Sequence, residues 1–326
     1  MLRLFPQVLA SALFFACCIP STSADIALAE QSPNTIALRT GDLLVKHRSQ
    51  FSGSEKKRIR QWLTTSANAT ALLTGSLPLP QTTVQIFRYN EGSSPVPWAN
   101  TVRSEPEGVN FYINPSLDLQ TFNADWTAVH EFAHLYLPYL GGPDRWLSEG
   151  FASYYQNVLM ARADLQSSDV SWNKLAAGFT RGTQDRNQDI TLAELSRDMG
   201  QKRGHMRVYW SGALFFLEAD IRLRQSGSSL DQVIEQFADC CRLDERSAGF
   251  EWDGFRLMQH FDEIIQQDLF LPMYERYRHE RRFPDHRLML AQLGVSHHAG
   301  KLRLDNTQPY VLLRSAIMNP SSTARP

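Results

Sequence analysis

The stretch Asp125–Leu137, DWTAVHEFAHLYL, decides the fold of this chain. It contains HEFAH, in which His130 and His134 stand four residues apart. On a helix that spacing puts two side chains about 40° apart around the axis, so both imidazoles face one side and can hold a single ion. Glu131 is displaced toward the side where a bound water would lie. Imidazole favours zinc, and a catalytic zinc takes three protein ligands, so the pattern requires a third ligand.

The H-E-x-x-H pattern also has a purely structural interpretation. A chain with 9 histidines matches it by chance in roughly one sequence in a hundred. The alternative is an ordinary amphipathic helix whose histidine pair is exposed or capped.

A candidate third ligand follows after fourteen residues, Leu135 to Ser148. This spacer contains Pro138, which stops a helix, and the turn residues 141–143, GGP. It is long enough to reverse the chain, so that a second helix beginning near Asp144 can direct Glu149 at the same ion. Two histidines and one carboxylate complete a hydrolytic zinc set.

The sequence around Glu149 carries a family resemblance. Trp146–Tyr155, WLSEGFASYY, resembles the W-L-x-E-G-F-A-x-Y-x segment of the gluzincin metallopeptidases, which include aminopeptidase N-type enzymes, glycyl aminopeptidases and peptidase MA-like families. The resemblance implies that Glu149 is the third zinc ligand and that the fold is α+β, a thermolysin-like catalytic domain. The short spacer favours the compact MA-like group.

A downstream segment continues the resemblance. Val208–Phe216, VYWSGALFF, resembles the Y-x-K-G-A helix of these families, in which the tyrosine donates a hydrogen bond to the oxyanion. Such a donor stabilises the charge that grows on the carbonyl oxygen during attack by water. Tyr209 is the candidate for this role; the alternative is a tyrosine that is simply packed on an amphipathic helix.

The chain departs from the family pattern at several positions. Gln156 stands where a further acid is common, and Ser211 replaces the usual lysine. The G-x-M-E-N strand that holds a substrate's α-amine is absent. Its counterpart is expected at Gly108–Asn114, which has no carboxylate. Recognition of a free N-terminus is therefore open, and so is the choice between exopeptidase and endopeptidase.

Local patterns predict the rest of the organisation. A helix opened by Ser54 is expected to extend to about Leu73, and β-branched and aromatic residues predict strands at Thr83–Tyr89 and Gly108–Asn114. Helices are expected to end near residue 138 and to cover about 144–165 and 207–224. We predict a signal peptide at 1–24, an α/β lobe with a small mixed sheet at 25–165, a helical lobe at 166–300 and a partly disordered tail at 301–326.

The N-terminal residues predict an exported chain. The first residues are typical of a secretory signal: Arg3, an apolar run over about 8–19, and small residues that end at Ala24. The apolar run is too short to span a bilayer comfortably. A periplasmic or extracellular location follows. The alternatives are a retained anchor and a lipoprotein acylated at Cys17. Cleavage would leave Cys240 and Cys241, which on a helix point about 100° apart and are not expected to bridge.

Composition limits the partners. The chain has 33 Lys and Arg against 34 Asp and Glu, a net charge of −1, so nothing indicates a nucleic-acid partner. We predict no transmembrane span after signal cleavage and leave the oligomeric state open.

Together these observations predict an exported zinc metallopeptidase that acts on peptides or proteins. His130, His134 and Glu149 bind zinc, Glu131 is the general base that takes a proton from activated water, and Tyr209 supports the oxyanion. Two alternatives stay open: a catalytically inactive binding protein of the cell envelope with the same fold, and an amidase on a non-peptide substrate.

Overall fold

The computed structural model describes residues 34–242, 252–298 and 301–319. The predicted signal peptide 1–24, with Cys17, lies outside the described residues. Five strands, β1 to β5, form one sheet in the order β1-β2-β3-β5-β4. Strands β2, β3 and β5 are parallel, while β1 and β4 are antiparallel edge strands. Their bounds are Thr35–Ile36, Asp42–His47, Gln81–Arg88, Trp98–Val102 and Gly108–Ile113, in chain order. This mixed sheet confirms the predicted α+β class.

One face of the sheet is buried under two helices, α1 (Gly53–Ala71) and α3 (Thr127–His134). Alternate residues of the central strands point to this face and are almost fully buried, as period-two packing requires. The rings of Trp62 in α1 and Phe132 in α3 pack against Phe111 of β5, at centroid distances of 5.1 and 5.8 Å. The sheet thereby fixes the helix that carries the two histidines.

Helices dominate the chain after the sheet. Helix α2 (Leu119–Ala124) precedes α3, and α4 (Arg145–Arg162) follows a short 3-10 turn at Gly142–Asp144. The helices that come next are α5 (Ser168–Thr183), α6 (Leu192–Arg197), α7 (Met199–Lys202), α8 (His205–Gln225), α9 (Leu230–Cys240), α10 (Gly254–Ile265), α11 (Phe270–His279), α12 (Arg287–Gln292) and α13 (Tyr310–Met318). A hairpin of β6 (Val295–His298) and β7 (Lys301–Leu304) separates the last two. Helix α4 is buried along most of its length within this helical core.

Helices α4 and α8 cross at glycines. A Cβ placed on Gly150 of α4 would lie 2.2 Å from the Cα of Gly212 in α8, and a Cβ on Gly212 would lie 2.0 Å from the carbonyl oxygen of Trp146. Real Cβ atoms do not approach other atoms so closely, so only glycine allows these two backbones to touch. The contact sets the distance between the helix that carries Glu149 and the helix that carries Tyr209.

Most predicted elements are present with shifted ends. The first helix is capped by Ser52, in a capping box with Glu55, rather than opened by Ser54. The short strands β1, β2 and β4 were not predicted. Helix α13 lies in the segment predicted as a tail, of which residues 320–326 lie outside the described part. The domain boundaries stay a prediction.

The prediction that Cys240 and Cys241 would not bridge is wrong, because the two form a disulfide. The prediction assumed that both residues lie within one helix. Helix α9 ends at Cys240, and Cys241 is already non-helical with φ −131°, so the pair is not held in helical geometry. Among the described residues, no helix is long and apolar enough to cross a membrane.

Candidate active site

Helix α3 is held at both ends. Before its first turn, the Asp125 carboxylate accepts a hydrogen bond from the Thr127 amide at 2.8 Å. After its last turn, the Arg103 guanidinium donates to the carbonyl oxygens of His134 and Leu137, each at 2.9 Å. Carbonyls at a helix C-terminus lack intrahelical partners and carry partial negative charge, so this cation both satisfies and stabilises them. The two histidines therefore project from a helix with little freedom to move.

Three candidate donor atoms converge where α3 faces α4. The Nε2 atoms of His130 and His134 lie 3.2 Å apart, and Glu149 Oε2 lies 3.6 Å from the first and 3.5 Å from the second. In the described part of the chain, these three side chains form the group of histidine, cysteine and acidic residues that could hold a metal ion.

The triangle has the dimensions of a zinc site. Zinc binds nitrogen and carboxylate oxygen at about 2.0–2.2 Å in tetrahedral geometry, which places neighbouring ligand atoms about 3.3–3.5 Å apart. The three observed separations bracket this value. Two imidazoles and one carboxylate are also the donor chemistry of catalytic zinc, with a fourth position left open. The residues present therefore fit the predicted cofactor.

Each histidine is oriented by a second hydrogen bond. Gln156 Oε1 lies 2.7 Å from His130 Nδ1, and Ser148 Oγ lies 3.1 Å from His134 Nδ1. Because an amide oxygen only accepts, the first contact puts a proton on Nδ1 and leaves Nε2 free to bind metal. Gln156 thus supplies the acceptor that an acid would supply, and its presence does not favour an inactive protein.

The site is strongly polarised. Burial lowers the pKa of His130, but its hydrogen bond to Glu149 and the charges of Glu131 and Glu149 raise it above the ordinary value. Burial raises the pKa of Glu149, yet the charge of His134 and hydrogen bonds to both histidines hold it well below its usual range. The carboxylates of Glu131 and Glu149 therefore favour positive charge at this place.

Glu131 lies beside the triangle and is held by a strand that was not predicted. Thr101 Oγ1, in edge strand β4, donates to Glu131 Oε2 at 2.9 Å. The expected counterpart of the family's substrate strand, Gly108–Asn114, is instead the interior strand β5, because β4 lies between it and the sheet edge. Like β5, β4 has no carboxylate; its sequence is WANTV.

Tyr209 reaches the same place from α8. Its ring stacks at 6.3 Å from that of His130, and its hydroxyl interacts with the Glu149 carboxylate. Burial and the negative charge of Glu149 raise the pKa of Tyr209 well above its ordinary value. The hydroxyl therefore stays protonated at neutral pH and keeps its capacity to donate.

Aromatic side chains border the site. Trp126, 42% exposed, packs edge-on against His130 at 5.3 Å, and His205 packs against Tyr209 at 6.2 Å. Trp126 directly precedes α3. As an aromatic residue close to the HEFAH motif, it could have been predicted from the sequence to lie near the site. The positions of Thr101 and Trp126 relative to the site are tertiary features.

The comparisons with known proteins agree with this architecture. The sequence model of the M61 glycyl aminopeptidase family matches residues 141–215, less than half of the chain. The match includes Glu149 and Tyr209 and begins after both histidines. A search of curated protein sequences gives no match.

Several solved structures share the fold. An aminopeptidase N family protein from Idiomarina loihiensis has a TM-score of 0.59 and 13% identity over 80% of this chain and 49% of its own. A two-domain M1 zinc metallopeptidase has a TM-score of 0.50 and 14% identity over 77% and 51%, respectively. Leukotriene A4 hydrolase from Saccharomyces cerevisiae has a TM-score of 0.50 and 12% identity over 77% and 39%. The chain thus spans about half or less of each relative's length.

The fold of the chain and the donor set of the site agree with each other. The chain has the fold of the gluzincin-type zinc metallopeptidases, which confirms the resemblance found in the sequence. Within that class, the family-level similarity is to the M61 glycyl aminopeptidases, over the segment that contains Glu149 and Tyr209.

Replacing Gln156 with Leu is expected to weaken zinc binding by about 10- to 100-fold, because the Nδ1 proton of His130 would lose its acceptor. Gln156→Glu keeps an acceptor and should bind zinc at least as tightly as the wild type. Zinc affinity is measured by competition with a chromophoric chelator. Gln61→Leu, on the exposed face of α1, is the matched control. Equal affinities for Gln156→Leu and the wild type would show that this hydrogen bond does not orient the ligand.

Proposed function

We propose that the chain is a zinc-dependent peptidase that uses Glu131 as general base. The observation that carries the proposal is the donor triangle of His130, His134 and Glu149, with the carboxylate of Glu131 held beside it by Thr101. When bound at this triangle, zinc would polarise a substrate carbonyl and lower the pKa of a water molecule.

Glu131 performs the proton transfers in this scheme. It accepts a proton from the attacking water and delivers it to the leaving amine. The hydrogen bond from Thr101 Oγ1 to Oε2 fixes the carboxylate, so that the other oxygen can face the water. A carboxylate held in place loses less entropy in the transition state than a freely rotating one.

Tyr209 supplies the donor for the developing oxyanion. Its hydroxyl stays protonated and lies close to Glu149, on the α8 side of the site. A hydroxyl held in a partly buried cleft stabilises negative charge more strongly than it would in water.

Strand β4 is the natural place for an extended peptide. In the described residues it pairs only with β5, so its other edge is open, and Thr101 brings that strand next to the general base. A peptide that adds to this edge would form main-chain hydrogen bonds and lie across the site.

The experiment that tests the function is a peptide-library screen with zinc-loaded protein. N-terminally blocked and unblocked peptides are compared, with and without a chelator, and products are identified by mass spectrometry. We expect chelator-sensitive cleavage, and the ratio between the two sets separates endopeptidase from aminopeptidase. Absence of cleavage in both sets, with zinc bound, would support the inactive binding protein or the non-peptide amidase instead.

Tyr209→Phe is expected to lower kcat by about 10²- to 10³-fold with little change in KM, because the hydroxyl acts on the oxyanion rather than on bound substrate. The ring and its stacking on His130 are retained. Steady-state kinetics on the best library peptide provide the measurement, with Tyr89→Phe at an exposed position as the control. A rise in KM at unchanged kcat would assign Tyr209 to substrate binding.

We also propose that the protein is exported. The support is the sequence of residues 1–24, with a positive start, an apolar run and a small-residue exit. N-terminal sequencing after expression in a bacterial host should show a chain that begins at Asp25 in the periplasmic or extracellular fraction. A chain that starts at Met1, or one acylated at Cys17, would contradict cleavage after Ala24.

A further inference from the structure

A half-buried cation, Arg145, lies next to the candidate active site. It is the first residue of α4 and stands one turn before Glu149, so both side chains lie on the same side of that helix. Cβ atoms four residues apart on a helix lie about 5–6 Å from each other, so the guanidinium of Arg145 can reach the site beside Glu149. Within the described part of the chain, Arg145 forms no side-chain hydrogen bond or ion pair.

The carboxylates near this cation are engaged elsewhere. Glu131 accepts from Thr101, and Glu149 faces the two histidines. The neighbouring Asp144 is buried and accepts from the Gly254 amide at 2.9 Å and from the Tyr274 hydroxyl at 2.7 Å. None of these three acids forms an ion pair with Arg145.

Among the described residues, the site therefore offers an unpaired guanidinium, that of Arg145, and no carboxylate that is free to bind a substrate ammonium. A substrate ammonium pairs best with a carboxylate. Strand β4, WANTV, has no carboxylate and offers only amide and hydroxyl groups as acceptors. A guanidinium in a partly desolvated cleft gains more from a carboxylate than an exposed one does, because it can form two parallel charge-assisted hydrogen bonds in a low dielectric.

We propose that Arg145 binds a carboxylate of the substrate and makes the site selective for peptides that carry an anionic group near the scissile bond. The carboxylate comes either from the C-terminus of a short peptide or from an Asp or Glu side chain. The inference rests on the proposed function, since it names the substrate class of the same site.

Binding can be measured without turnover. In the zinc-loaded Glu131→Gln protein, calorimetry compares three acetylated tetrapeptides: a neutral amide, the same sequence as a free acid, and an amide with one Glu. We expect the free acid, the Glu peptide or both to bind about tenfold tighter than the neutral amide, as one charge-assisted pair allows. Tight binding of the free acid alone identifies the C-terminus as the ligand, and tight binding of the Glu peptide identifies the side chain.

A carboxylate can also bind zinc directly. Two further variants therefore distinguish binding of the peptide carboxylate by Arg145 from binding by the metal. Adding Arg145→Gln should abolish the preference, whereas Arg145→Lys keeps the charge and should retain part of it. Arg186→Gln removes one exposed charge elsewhere and should leave the preference intact.

Equal affinity for the three peptides, binding of none, or a preference that persists in Arg145→Gln would overturn the inference. If Arg145→Gln does not fold, Arg145→Met, which keeps the aliphatic chain without the charge, takes its place and should likewise abolish the preference. Selective binding without any hydrolysis by the wild-type protein would instead contradict the proposed peptidase function and leave the role of Arg145 standing.

Discussion

Glu131→Gln is expected to lower kcat by about 10³-fold or more while zinc content stays at the wild-type level. General-base catalysis contributes about 10²- to 10⁴-fold, and in the proposed scheme one group serves as base and then as acid. Glutamine has the same shape, and its amide oxygen can still accept the hydrogen bond from Thr101. The substitution therefore removes proton transfer and little else.

Single-turnover hydrolysis and metal analysis of the same preparation provide the measurement. Glu235→Gln, at an exposed position of α9, is the matched control and should retain full activity. Substantial turnover in Glu131→Gln would show that a different group takes the proton. Loss of zinc together with activity would show that Glu131 contributes to metal binding.

Gly150→Ala is expected to destabilise the fold by about 3 kcal/mol or more, the upper range for overpacking, because the added methyl group would meet the backbone of Gly212 rather than a flexible side chain. For a chain of 326 residues, the change corresponds to a fall in Tm of roughly 4–5 °C or more. Any relaxation must separate α4 from α8, which moves Glu149 away from Tyr209. The surviving folded protein should therefore also lose activity.

Thermal unfolding followed by circular dichroism tests this expectation. Gly53→Ala is a suitable control, since among the described residues nothing beyond its own helix and chain neighbours lies within 4 Å of the position that its Cβ would take, and alanine favours a helix more than glycine does. Gly212→Ala should behave like Gly150→Ala. An unchanged Tm in both variants would contradict the close backbone contact between the two helices.

The sequence predicted those parts of the site that depend on local spacing. His130 and His134 share a helix, so their separation of four residues was sufficient to place them together. The length of the spacer made Glu149 a candidate ligand, and the family resemblance supported that role. Tyr209 required the resemblance, because nothing in local periodicity determines how α4 and α8 pack. The glycines of the same two motifs were visible, but their role as a helix contact depends on how the two backbones meet in space.

The unpredicted parts depend on tertiary structure. Strand β4 is five residues long, and its sequence WANTV places Asn100 and Thr101 side by side, so it lacks the alternation of apolar and polar residues that indicates a strand. Its position at the open edge, next to α3, is what brings Thr101 to Glu131. The orienting roles of Ser148 and Gln156 likewise follow from the packing of α4 against α3.

Zinc-dependent peptide hydrolysis is tested most directly by a zinc titration of chelator-treated protein, followed by an activity assay. We expect activity to be lost with the metal, to return in proportion to added zinc, and to reach a plateau at one zinc ion per chain. We expect no recovery in His134→Ala, which lacks one side of the donor triangle, and none in Glu131→Gln, which keeps the metal. Hydrolysis that persists in the metal-free protein, or equal recovery in His134→Ala, would contradict zinc-dependent hydrolysis at this triangle.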